Sequence, residues 1–205
     1  MNTQINVQPN IKLKPMGDYG TNCYIIDING KQIIIDPGVG AFHWVKENAK
    51  NPIAILNTHG HFDHVWSNDE IAQYFKIPIY CPKDDCFMLS NDPFSQGTPK
   101  SKANFEVKPN QTIKLLDTNI TFLHFPGHTP GCSVIEIGDY LLSGDFIFNG
   151  SIGRVGFPFS DKNKMKESLT KVLSITKDYI IYPGHGSKTT LAKEKSSLKA
   201  WLNYL

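Results

Sequence analysis

The run Thr58-His59-Gly60-His61-Phe62-Asp63-His64 constrains this chain more than any other feature. At this composition a chance His-x-His-x-Asp-His has odds of roughly one in two thousand. Positions two apart in extended backbone face the same way, so His59 and His61 can converge on one ion. Helical zinc pairs sit four apart, so the run is not a helical metalloprotease motif. Asp63 and the adjacent His64 diverge in direction, which suits a second ion beside the first. Gly60 lets the turn tighten without a side-chain clash.

Three further candidate ligands stand in similar places. His128 follows a strand expected over Ile120–Phe125, Asp145 follows Tyr140–Leu142, and His185 follows Tyr179–Tyr182. Each lies beyond a glycine-containing turn at a strand end, where α/β proteins place their sites. Five imidazoles and two carboxylates are enough for two divalent ions. A structural zinc site is closed by four ligands and rich in thiolate, whereas this set leaves coordination positions open for water. His43 and His124 read instead as structural polar groups. Asp36, at the end of Ile33-Ile34-Ile35, is either an acceptor orienting a ligand imidazole or a turn-forming aspartate.

Composition narrows the rest. A chain of 205 residues favours a single domain spanning 1–205. With 40% hydrophobic and 20% charged residues, it is neither a disordered tail nor a coiled coil. A net charge of +2 is too mild for a nucleic-acid partner. Bidentate anion recognition can come only from the single arginine, Arg154. No apolar run of ~18 residues is present to span a membrane. Met1–Asn6 lacks the basic and apolar regions of a signal peptide, so a cytoplasmic location is expected. The cysteines Cys23, Cys81, Cys86 and Cys132 fit no zinc spacing and read as reduced thiols.

Strands and helices alternate along the chain. Strands are expected over Ile11–Met16, Cys23–Ile28 and Lys31–Asp36, the last two joined by an Asn29-Gly30 hairpin. A helix over Ala41–Ala49 and another through Ile71, Ala72 and Phe75 flank the apolar run Ile53–Leu56, with a further strand near Ile77–Tyr80. Residues 83–110 read as one long irregular segment, either a functional loop such as a lid or a poorly ordered stretch. Beyond them come strands at Ile113–Leu116, Ile120–Phe125, Val134–Ile137, Tyr140–Leu142 and Tyr179–Tyr182. Two helices follow that pattern, one burying Met165, Leu169 and Val172 and a closing one carrying Leu198, Trp201 and Leu202. The apolar face of that closing helix leaves a monomer or a homodimer as the expected state.

On Thr58–His64, Pro126–Thr129, Ser143–Asp145, Gly150–Arg154 and Pro183–Gly186, nearly the whole chain resembles the metallo-β-lactamase fold superfamily. Within it, the chain is similar to small glyoxalase II-like hydrolases. The resemblance implies an α/β fold of four layers, an αββα sandwich. It implies one metal on His59, His61 and His128, another on Asp63, His64 and His185, and Asp145 bridging them. Zinc is the expected ion, with iron or manganese as substitutes. With 20 residues following His185, the C-terminal helical domain of full-length glyoxalase II enzymes is expected to be missing. Gly156 stands where the family often has Asp, and Phe146 where a small polar residue is frequent.

The expected activity is hydrolysis of a small-molecule thioester, such as a hydroxyacyl-glutathione-like substrate, by attack of a metal-bridging hydroxide. Asp63 would orient the water, and Arg154 would meet a substrate carboxylate. Two other readings remain at this point: a mononuclear Fe(II) persulfide dioxygenase, and a non-catalytic metal-binding scaffold.

Overall fold

Short runs of β-branched residues separated by polar turns set the architecture, and the computed structural model, which describes residues 10–205, shows how they stack. Met1–Asn6 lies outside the described residues.

The first half of the chain builds a six-stranded sheet. Its strands are β1 (Asn10–Met16), β2 (Thr21–Ile28), β3 (Lys31–Ile35), β4 (Pro52–Leu56), β5 (Ile79–Pro82) and β6 (Phe105–Val107), in that spatial order. The Asn29-Gly30 hairpin between β2 and β3 has both residues at positive φ, 54° and 79°, as a two-residue primed turn requires. From β3 to β6 the strands run parallel, so each connection must cross over. The crossovers are α1 (Ala41–Asn48), then α2 (Phe62–Val65) with α3 (Asn68–Phe75), then a 3-10 turn at Lys83–Asp85 with α4 (Cys86–Asn91).

The second sheet starts as an antiparallel meander of β7 (Thr112–Leu115), β8 (Thr118–His124), β9 (Ser133–Ile137) and β10 (Tyr140–Gly144). A small separate hairpin of β11 (Ile147–Phe148) and β12 (Ser151–Ile152) precedes α5 (Lys162–Leu173). Asp161 caps α5 by accepting from the backbone N–H groups of Asn163 and Lys164. The chain then adds β13 (Ile180–Pro183) parallel to β10, β14 (Thr189–Thr190) at the edge, and α6 (Leu191–Tyr204).

Alternation along the strands serves two faces at once. Ile26, Ile33, Ile35 and Leu56 pack between the sheets against Ile120, Phe122, Ile135 and Leu142. Their neighbours Ile25, Ile34 and Ile55 face outward onto Val45 of α1 and Ile71 of α3. On the far side, Val134, Leu141 and Ile181 meet Met165, Leu169 and Val172 of α5 and Leu198 of α6. Burial of both faces explains the unbroken apolar run Ile33-Ile34-Ile35. The result is the αββα sandwich that the resemblance implied.

Residues 83–110 depart from the expected irregular segment. They hold the 3-10 turn, α4 and β6, leaving residues 92–104 as the connection. The helix escapes notice in the sequence because it is short. Its buried residues, Met88 and Leu89, lie among Pro, Asp and Asn that mask any period.

Candidate metal centre

The site forms where the two sheets touch. Ser133 of β9 donates its backbone N–H to Thr58 O at 2.9 Å, Gly184 donates to Gly144 O at 2.8 Å, and Asn22 donates to Gly184 O at 2.7 Å. These contacts bring the loop after β4, the β8–β9 loop and the ends of β10 and β13 together. They carry His59, His61, Asp63 and His64, then His128, Asp145 and His185. Four segments thus deliver seven candidate ligands to one place. Contrary to a simple extended pair, His59 sits in a bend and His61 at the N-terminus of α2, which turns Asp63 and His64 away from both.

Four of the five rings are anchored from behind through Nδ1. The partners are Thr58 Oγ1 for His59 at 3.0 Å, Asp36 Oδ2 for His64 at 3.0 Å, Arg154 O for His128 at 2.9 Å, and Tyr19 O for His185 at 3.0 Å. Anchoring Nδ1 fixes each ring and directs Nε2 inward. His61 is the exception, with Nδ1 facing the centre, 2.9 Å from His128 Nε2. Asp36 does both things the sequence left open. Its backbone takes a left-handed turn at φ 48°, and its carboxylate accepts from Thr58 N at 2.8 Å, Thr58 Oγ1 at 2.6 Å and the His64 ring.

Inward, the ligand atoms gather in two groups. Those of His59, His61 and His128 lie within 4.8 Å of one another, and so do those of Asp63, His64 and His185. Asp145 stands between them. Its Oδ1 is 3.2 Å from His64 Nε2 and 3.5 Å from His185 Nε2, while Oδ2 is 3.4 Å from His128 Nε2. A third grouping, Asp36 with His59 and His64, meets the same spacing. Its carboxylate is already occupied by hydrogen bonds behind the rings, so it supports the other two groups and forms no ion site of its own.

The donor set fits metal. Nε2 of His59 and His64 and Oδ1 of Asp145, which face the cluster, are buried without a hydrogen-bond partner. Each such atom normally costs about 1–3 kcal/mol. Divalent ions held by imidazole nitrogen and carboxylate oxygen would satisfy them. For His59 and His61 electrostatics point the same way. Burial, reinforced by neighbouring imidazoles, pushes His59 well below its usual range and His61 down to about 3. Both rings are therefore neutral and ready to ligate. For Asp63 burial opposes ionisation, yet His64 and a hydrogen bond from His185 bring it to about 2. Burial likewise disfavours charge on His64, but Asp63 and Asp145 outweigh it and raise that ring well above its usual range, so without an ion it holds a proton that metal binding must displace.

Several contributors leave no trace in the motifs. Thr21 donates to Asp63 Oδ2 at 2.6 Å. Asp85, fully buried, ties two ligand loops together, accepting from Gly60 N at 3.0 Å, Thr129 Oγ1 at 2.6 Å and Gly131 N at 2.6 Å. Asp85 carries no signal in the sequence, because an Asp in the stretch Pro82-Lys83-Asp84-Asp85 does not stand out. Arg154 lines the cleft over the cluster. Phe146, the departure beside Asp145, is fully buried and stacks on Phe125 at 4.6 Å.

This fold, with this cluster of histidines and carboxylates at the sheet junction, defines a metallo-β-lactamase domain. Residues 16–185 match the model of the metallo-beta-lactamase superfamily, and the chain belongs to that superfamily of metallo-hydrolases. It is 35% identical over 203 residues to the hydroxyacylglutathione hydrolase GloC of Haemophilus influenzae, covering 92% of this chain and 96% of that protein. Among solved structures it is similar to the B3 metallo-beta-lactamase BLEG-1, with a TM-score of 0.83 and 27% identity over 91% of this chain and 97% of that one. It is also similar to TTHA1623 in a di-iron-bound form, with a TM-score of 0.75 and 29% identity over 93% and 98%. Among the described residues, no helix is long and apolar enough to cross a membrane.

Proposed function

We propose that this chain is a binuclear metal-dependent hydrolase that cleaves a thioester. In this reading His59, His61 and His128 hold one ion, Asp63, His64 and His185 the other, and Asp145 joins them. The observation that carries it is the division of Asp145, whose two oxygens face different groups. The likeness to a hydroxyacylglutathione hydrolase supports a thioester as the substrate. We assign zinc to this thiolate-free, imidazole-rich set, and iron and manganese are the ions to assay beside it.

Ions bound here would polarise the acyl carbonyl and lower the pKa of a coordinated water from 15.7 toward about 7. The protein's own groups supply orientation. Asp63, fixed by the Thr21 hydroxyl, accepts a hydrogen bond from the attacking water and aims it at the acyl carbon. The anchored Nδ1 atoms of His64, His128 and His185 keep those rings from turning, so none serves as a mobile base. A C–O bond forms and the C–S bond breaks. One proton of the water ends on the thiol sulfur, and the other leaves with ionisation of the product acid. Arg154 is exposed and takes part in none of the ion pairs among the described residues, which leaves its guanidinium for a substrate carboxylate.

Elemental analysis of metal-loaded protein, with a thioester hydrolysis assay, tests this reading. Two ions per chain are expected, with turnover lost in His128→Ala and Asp145→Ala. Fewer than two ions at saturation removes the binuclear mechanism. One iron per chain with oxygen uptake on a persulfide replaces it by dioxygenation, and two ions without turnover on thioesters or lactones leaves a binding scaffold.

A further inference from the structure

Resting on the hydrolase reading above, we infer that the substrate is a thioester with one apolar half and a single carboxylate, and not a conjugate of a multiply charged carrier such as glutathione. The cleft over the cluster encloses about 350 Å³, near the small end of ligand pockets. Apart from candidate ligands, it is lined by Tyr19, Phe62, Phe94, Phe148, Phe157 and Arg154. Five of these six are aromatic.

The rings are held in place. Phe94 meets the His61 ring edge-on at 5.0 Å, and Phe157 lies 5.3 Å from both His61 and His128, so the two make a wall over the first ligand group. Phe159 backs that wall, 5.9 Å from Phe94 and 5.1 Å from Phe87 of α4. The Phe94 loop is pinned by Asp92, whose carboxylate accepts from Gln96 N, Gly97 N and Thr98 Oγ1. On the other side Tyr19 packs edge-on against Phe62 at 5.1 Å, and Phe148 against His185 at 5.8 Å. Partly exposed rings at a cleft mouth gain free energy when apolar substrate atoms cover them.

Charge sets the other half. Among the described lining residues, Arg154 is the only cation that is not a candidate ligand. One guanidinium pairs with one carboxylate. Glutathione brings two carboxylates and an ammonium, and among the described lining residues Arg154 alone can pair with them, so its remaining charges gain no partner from the aromatic walls.

The test compares acetyl and hexanoyl thioesters of 3-mercaptopropionate and of glutathione on the metal-loaded protein. The hexanoyl mercaptopropionate should exceed its acetyl counterpart in kcat/KM by about tenfold, as when roughly half the transfer free energy of four methylenes is recovered. Phe94→Ala and Phe157→Ala should narrow that ratio, and Arg154→Gln should narrow the preference for the free acid over its methyl ester. A ratio near one, or preference for the glutathione thioesters, overturns the inference. Calorimetry with the non-hydrolysable S-hexyl and S-methyl thioethers of 3-mercaptopropionate separates the two failures. If no thioester turns over but the S-hexyl compound binds about tenfold tighter, the hydrolase reading falls and the cleft inference stands. Equal binding overturns the cleft inference whatever the activity.

Discussion

Asp36 accepts a hydrogen bond from Nδ1 of His64 at 3.0 Å, with both side chains essentially excluded from solvent. The carboxylate fixes the ring so that Nε2 faces Asp63 and Asp145. In Asp36→Asn an amide N–H₂ must face either Thr58 N or the Thr58 hydroxyl and His64 ring that share Oδ2, and at least one of those contacts is lost. Outer partners of this kind typically contribute 10–100-fold to metal affinity. A competition titration against a chromophoric chelator should show a loss in that range, and unchanged affinity would remove Asp36 from the site.

Asp145→Asn tests the joint between the two groups. The side chain keeps its shape but presents an amide nitrogen, which does not ligate, to either the His128 side or the His64 side. Elemental analysis should find the variant below two ions per chain. Turnover should fall by more than about a hundredfold, because each tenfold corresponds to about 1.4 kcal/mol and metal catalysis supplies several.

Asp85 gives a pH dependence whose sign follows from its burial. Burial pushes its carboxyl up to about 6, against the opposing hydrogen bonds from Thr129, Gly131 and Gly60. The folded state therefore holds this proton more tightly than the unfolded chain does. Its contribution to stability is full below about pH 4 and is lost as pH rises through about 6. Asp85→Asn does not titrate, and it also turns an N–H₂ toward one of three donors, at about 1–3 kcal/mol. Urea unfolding from pH 4 to pH 7 should show the gap between wild type and variant narrowing as pH rises. A widening gap would mean that the three donors outweigh burial.

The candidate ligands were legible because imidazoles and carboxylates are chemically distinctive, and each stands just past an apolar strand. His59, His61, Asp63, His64, His128, Asp145 and His185 all reach the sheet junction. What holds them was not legible. Arg154 and Tyr19 support His128 and His185 through backbone carbonyls, which every residue possesses, so no residue identity marks them. Asp85 acts on loops 25 and 46 residues away, a pairing that only the crossover between β5 and β6 creates. The alternation of strands and helices gave the class of fold. The strand order, with β13 parallel to β10, depends on how α5 packs across the second sheet.

Gly184 and Gly138 separate the needs of the site from those of a turn. A Cβ on Gly184 would stand 2.8 Å from His64 Cε1 and 2.9 Å from the carbonyl carbon of Gly144, and would press on Asp145 Oδ1. Gly184→Ala must therefore displace two candidate ligands, and overpacking of this kind typically costs 1–3 kcal/mol. Gly138, in the β9–β10 turn, has φ +61° and open space around it. There an alanine meets only the left-handed backbone penalty, about 1–2 kcal/mol. Both variants should lower the denaturation midpoint by similar amounts, but only Gly184→Ala should lose metal on dialysis against a weak chelator. Equal metal retention in the two would show that the approach of Gly184 to Asp145 and His64 is packing alone, with no part in shaping the ion sites.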